Sequence, residues 1–188
     1  DIDRSVSVRE REKTVAMIYQ DYSLVGEMTV AENIFLNAEP LKGGLIADRS
    51  CVRSVQEFFT DMGIRIDPRE KVKNLSTGDM QLVEIAKAIM KQTKVILMDE
   101  PTAALDAEAT AKFFEIISRL KEQGYSIVIS THHLQHIMDV CDSVTIIRDG
   151  RACMAKPVAE TTLEEVIAEM LGETGFQTAK SRLYRDLE

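Results

Sequence analysis

The chain has 188 residues, 45% of them apolar, which suits a single domain with a substantial core. Its 31 acidic against 23 basic residues give a net charge of −8, and no basic run exceeds two residues, so the clustered cations that grip a nucleic-acid backbone are lacking. Cys51, Cys141 and Cys153 are scattered without CxxC spacing, as in a reduced intracellular protein; no apolar stretch nears the roughly 20 residues of a membrane span, and the polar segment from Asp1 is unlike a signal peptide. These features predict a soluble chain.

Taken in order, residues 14–19 (TVAMIY) form a short apolar run with the character of a buried strand, ending at Gln20. Val52, Val55, Phe59 and Met62 recur at helical spacing before Gly63, and Leu82, Ile85 and Ile89 do so before Lys91. A second buried strand is predicted over Val95–Asp99. After Asp106, the residues Phe113, Ile117 and Leu120 share one helix face, with Gly124 as the stop. Two more strands are predicted, over Ser126–Ser130 and residues 143–147, and Asp149-Gly150 signals a hairpin into residues 152–156. Residues 161–172 close the domain as a helix in which Thr161 and Thr162 each have a glutamate three positions on, the pattern of a capping box. Residues 173–188 are polar and read as a tail, a linker or a solvated helix.

Strand and helix alternate, which indicates an α/β fold with a mostly parallel sheet and ligands beyond the carboxyl ends of its strands. Residues 50–92 depart from that rhythm. They are helical without an intervening strand pattern, as in a helical subdomain inserted between strands.

Four stretches carry candidate chemistry. The strand over Val95–Asp99 runs into Asp99 and Glu100, and Pro101 forces the chain out of the sheet, leaving Glu100 extended or in a turn and able to face what Asp99 faces. Such a pair suits Mg²⁺ held by Asp99 and a water polarised by Glu100, although an acidic turn after a buried strand has the same sequence. Residues 75–89 (LSTGDMQLVEIAKAI) place Ser76 and Gly78 at the start of an amphipathic helix, either an anion site or an ordinary cap. Gln20 stands at one strand end, where its amide either touches a metal and a water or has no such part, and His132 just beyond another, as a catalytic residue or, read alone, a helix-start residue. His132 and His136 are one helical turn apart, but no third metal ligand is positioned.

In this order and at these distances, the four stretches resemble the ATP-binding domain of ABC transporters, from the glutamine loop to the end of the domain. The likeness covers residues 14–172, most of all in "TVAENIFL", "VEIAKAI" and "DEPTAALD", which are similar to the first ATP-binding half of ribose, galactose or xylose importer subunits. The resemblance implies a sheet of P-loop NTPase type, ATP and Mg²⁺ as cofactors, and an ATPase as parent protein. It implies that Gln20 and Asp99 contact Mg²⁺, that Glu100 is the catalytic glutamate, and that His132 is the switch histidine. Ser76 and Gly78 match signature positions facing ATP on an opposing domain, and Asp106 falls on the loop crossing that interface. A second ATP-binding domain, as homodimer or tandem half, is the implied partner, with transmembrane permease subunits and, indirectly, a solute-binding protein. The implied location is cytoplasmic, on the inner face of the cell membrane.

The sequence departs from the family pattern twice. The signature LSGGQ reads Leu75-Ser76-Thr77-Gly78-Asp79, which adds a side chain and a carboxylate near a polyphosphate. None of the nine glycines opens a G-x-x-x-x-G-K-[ST] phosphate loop. The expectation is therefore a partial ATP-binding domain over residues 1–172, lacking the N-terminal strands and phosphate loop and inactive alone. Two alternatives stand beside an importer ATPase: a soluble ABC-type ATPase acting on ribosomes or DNA, and a non-catalytic interaction module.

Overall fold

A computed structural model of the chain describes residues 15–37, 41–42, 45–46, 48–91 and 93–172. The expectations for residues 1–12 and 173–188 lie outside these. The fold divides into two compact units between Thr131 and His132.

In the first unit, strands β1 (Val15–Ile18), β4 (Val95–Asp99) and β5 (Ser126–Ser130) form a parallel sheet in the order β1-β4-β5. The register sets Ile18 beside Met98 and Asp99 beside Ser130. Between β1 and β4 the chain forms α1 (Val30–Phe35), a two-residue hairpin of β2 (Leu41–Lys42) and β3 (Leu45–Ile46), α2 (Asp48–Met62), a 3₁₀ turn and α3 (Thr77–Met90). Helix α4 (Ala107–Glu122) crosses from β4 to β5.

Side chains alternate along a strand, so each contributes to two faces. Ile18, Ile96 and Met98 are buried, with α3 against β1 and α4 against β5. The expectation of fully buried strands needs correction on the opposite face. Val15, Met17 and Val128 are 38, 49 and 58% exposed, because the helices of this unit cover only one side of the sheet.

The helices follow from their stripes and caps. On α2, Cys51, Val55, Phe59 and Met62 are buried; Gly63 takes φ of +68°, a conformation glycine adopts without strain, and the Ile64 amide reaches back to the Phe59 carbonyl at 2.7 Å. On α4, Phe113, Phe114, Ile116, Ile117 and Leu120 are buried, and the Phe113 and Phe114 rings meet edge to face at 5.1 Å.

Helix α1 went unread because six residues show little periodicity, yet its start is written in Thr-Val-Ala-Glu. The Glu32 amide donates to Thr29 Oγ1 at 3.3 Å, and the Thr29 amide donates to Glu32 Oε2 at 2.7 Å, completing a capping box. Hydrogen bonds from the Thr29 amide and hydroxyl hold the Glu32 carboxyl below the usual glutamate range. A lowered folded-state pKa gives stability that is present above the unfolded value and lost as pH falls through the folded one. Glu32→Gln should therefore cost about 0.5 kcal/mol near pH 7, at the low end for an exposed cap, and the gap should close toward pH 3 in paired thermal melts.

The second unit contains α5 (Leu134–Val140), β6 (Ser143–Arg148), β7 (Arg151–Pro157) and a final helix over 163–172. β6 and β7 form an antiparallel hairpin of their own, outside the parallel sheet. Its turn is Asp149-Gly150, both with positive φ (51° and 75°), as a two-residue type I′ turn demands. Val144, Ile146, Met154 and Val166 form its core, with Leu134, Ile137 and Met138 packed around them. Of the two candidate caps on the final helix, Thr162 accepts from the Glu165 amide at 3.2 Å, while the Thr161 hydroxyl donates to the Pro157 carbonyl.

Candidate functional site

Strand β4 delivers Asp99 to the carboxyl end of the central strand, beside Ser130 on β5. The Ser130 hydroxyl donates to Asp99 Oδ1 at 2.7 Å, fixing one carboxylate oxygen while the residue stays exposed. The register of β1 brings Gln20, two residues past Ile18, to the same end of the sheet. Three candidate residues, Gln20, Asp99 and Glu100, thus share one sheet end. Mg²⁺ commonly takes only one or two carboxylates, so an exposed, oriented aspartate beside an amide fits that ion.

Of the two geometries expected for Glu100, extended or turn, it takes the turn, with a φ of +45° in the left-handed region. Pro101 disfavours the right-handed well for the residue before it, and an extended Glu100 would carry the chain onward along the sheet. The left-handed conformation turns it at once: the Glu100 amide makes a last bond to the Ser130 carbonyl (2.9 Å), and the Ala103 amide returns to the Glu100 carbonyl (3.2 Å). Such strain on a non-glycine residue costs about 1–3 kcal/mol and clusters at functional sites.

Ser76, Gly78 and Asp106 converge elsewhere, on a groove of about 200 Å³ also lined by Asp79, Glu108 and Lys112. Ser76 is the N-cap of α3: its Oγ accepts from the Asp79 amide (3.1 Å) and donates to Asp79 Oδ2 (2.8 Å). Asp106 caps α4 in the same way, accepting from the Ala109 amide at 2.8 Å. Ser76 therefore performs the ordinary capping that the sequence left open, and Asp106 performs a capping role that the sequence did not foresee. The first-turn amides of α3 favour an anion, whereas three carboxylates against one ammonium oppose it.

Gly78 has a packing reason that the sequence did not reveal. A Cβ there would lie 2.9 Å from the Ala109 Cβ, so α3 and α4 approach too closely for a side chain. Gly78→Ala should cost about 1–3 kcal/mol in urea unfolding, and Ala109→Gly should recover most of it. Equal losses in the single and double variants would instead point to a role unrelated to this approach.

His132 belongs to the second unit and is exposed; its ring centroid lies 4.3 Å from that of His133, and His133 lies 6.4 Å from His136. Among the described residues no three His, Cys, Asp or Glu side chains form a metal-binding group.

Sequence reasoning also passed over Asn33, fully buried in α1. Its Oδ1 accepts from the Val25 amide (2.7 Å) and its Nδ2 donates to the carbonyls of Val25 and Thr29 (both 3.0 Å). The loop that follows Gln20 is ordered by this side chain. The signal was a lone amide on the apolar side of "VAENIF".

The family model described as ABC transporter matches residues 1–103. The chain belongs to the ABC transporter family. It is 44% identical over 159 residues to an arabinose import ATP-binding protein of Rhizobium johnstonii, covering 84% of this chain and 32% of that protein. It is 38% identical over 161 residues to a galactose/methyl galactoside import ATP-binding protein of Mannheimia succiniciproducens, covering 86% and 32%. It is 40% identical over 162 residues to a xylose import ATP-binding protein of Geobacillus kaustophilus, again covering 86% and 32%. This ABC transporter family member spans about a third of the length of the curated relatives it matches. No helix among its described residues is long and apolar enough to cross a membrane.

Proposed function

We propose that this chain is the ATP-binding and ATP-hydrolysing part of an importer that takes up a small solute, a sugar. One observation supports the reading: Gln20, Asp99 and Glu100 lie at the carboxyl end of a parallel sheet, where α/β folds bind ligands. The names of the relatives, import proteins for arabinose, galactose and xylose, support the solute class.

When bound, Mg-ATP would supply a γ-phosphorus open to attack by water, with ADP as the leaving group. Asp99, oriented by Ser130, and Gln20 would hold the cation; Glu100 would orient the water and take its proton; His132 would donate a hydrogen bond to the γ-phosphate. The role of His132 rests on its place in the sequence. Ser76, Gly78 and Asp106 form the face offered to an opposing ATP-binding domain, homodimeric or tandem. With Asp79, Asp106 and Glu108 lining that groove, phosphate enters it only together with cations from the opposing side. Permease subunits are the proposed membrane partners, an external solute-binding protein the indirect one, and the inner membrane face the location.

One observation favours a non-catalytic role for the chain alone: none of its nine glycines opens a phosphate-binding loop. Calorimetric titration of Mg-ATP separates the two readings. Heat of binding only in a version extended upstream through such a loop would assign hydrolysis to the longer protein and inactivity to these 188 residues. Equal binding by both would show a second phosphate site, and binding by neither would sink the ATPase reading.

A further inference from the structure

The loop after Gln20 is fastened to α3 at three levels. Near the start of the helix, the Tyr22 hydroxyl donates to the Thr77 carbonyl at 3.2 Å. Two turns further on, Glu84 Oε1 accepts from both the amide (2.6 Å) and the hydroxyl (2.9 Å) of Ser23. One turn beyond, Lys87 Nζ donates to the carbonyl and the hydroxyl of the same Ser23, each at 3.1 Å. Positions 84 and 87 are three residues apart and so share one helix face, which grips all three polar groups of a single loop residue.

Glu84 is 6% exposed, and carboxylates are rarely buried unless paired and hydrogen-bonded. Burial and the Glu84 carboxylate push the Tyr22 phenol up. The loop is thus tied to the helix whose first turn carries Gly78 and whose N-cap is Ser76.

We propose that Glu84, with Lys87, is a positioning residue that couples the loop following Gln20 to α3, so that nucleotide engagement at the Ser76 end of the helix resets Gln20. This rests on the ATP-binding reading above. The rigid body is α3, and Ser23 is the point where its displacement enters the loop.

Hydrogen–deuterium exchange on the full-length protein, with and without saturating Mg-ATP, tests the coupling. In the wild type, residues 20–29 and 76–90 should both gain protection. In Glu84→Ala the gain over 76–90 should persist within about twofold while that over 20–29 falls about fivefold or more. Glu84→Gln, which keeps an acceptor oxygen and the side-chain volume, should restore most of it; a merely structural role would diminish both segments together. If Glu84→Ala does not fold, Lys87→Met is read the same way. A responsive wild type with an equally responsive Glu84→Ala, or Lys87→Met, overturns this inference alone. A wild type in which neither segment responds overturns the ATP-binding reading and the inference with it.

Discussion

Glu100→Gln should lower ATP turnover of the full-length protein by about 10²–10⁴-fold while ATP affinity stays within a fewfold. The amide preserves size and one acceptor oxygen but cannot take a proton from the attacking water, so the loss falls on the chemical step. Folding should be unchanged, because glutamine meets the same backbone demand at φ +45° that glutamate does. A steady-state assay paired with equilibrium nucleotide binding separates the two effects. Turnover equal to that of the wild type would remove Glu100 from the mechanism and reduce the Asp99-Glu100-Pro101 corner to an acidic turn.

The second large effect falls on stability. Asn33→Leu keeps approximate volume in a fully buried position but leaves the Val25 amide and carbonyl without their partner. Val25 itself is 43% exposed, so water replaces part of what these part-buried groups lose, and the expected total is about 1–3 kcal/mol. Against a typical domain stability of about 5–15 kcal/mol that is a large fraction, and the urea midpoint should fall accordingly. A change below about 0.5 kcal/mol would mean that the loop turns both groups to water at no cost, and that Asn33 does not order it.

Where pattern is local, the sequence disclosed the fold. The apolar runs of β4 and β5 were read to their terminal residues because polar groups bound them on both sides, and α4 was read from its stripe, from Asp106 and from Gly124. Asp149-Gly150 announced its hairpin because few dipeptides accept positive φ twice. The two-residue strands β2 and β3 offer no period to detect. Nor does an apolar run say which face of a strand is covered, so the exposure of Met17 and Val128 was invisible.

The site divides similarly. Gln20 and Asp99 were expected at strand ends, and parallel pairing sets them at the same end of the sheet. Ser130 escaped notice because its hydrogen bond to Asp99 depends on which strands are neighbours, a property no single segment encodes. Gly78 was taken for a phosphate contact, and its tight approach to Ala109 emerges only once α3 and α4 are packed. Ser23 and Glu84 lie 61 residues apart and meet only in the folded chain.

The left-handed backbone at Glu100 sets two demands on one residue against each other. Glycine is the residue best suited to φ of +45° and would relieve about 1 kcal/mol of strain, yet it carries no carboxylate. Selection for durability alone would install it there. The glutamate thus marks a position where robustness is surrendered, and a library screened only for heat resistance would drift toward proteins that last longer and have lost the group proposed to act on water.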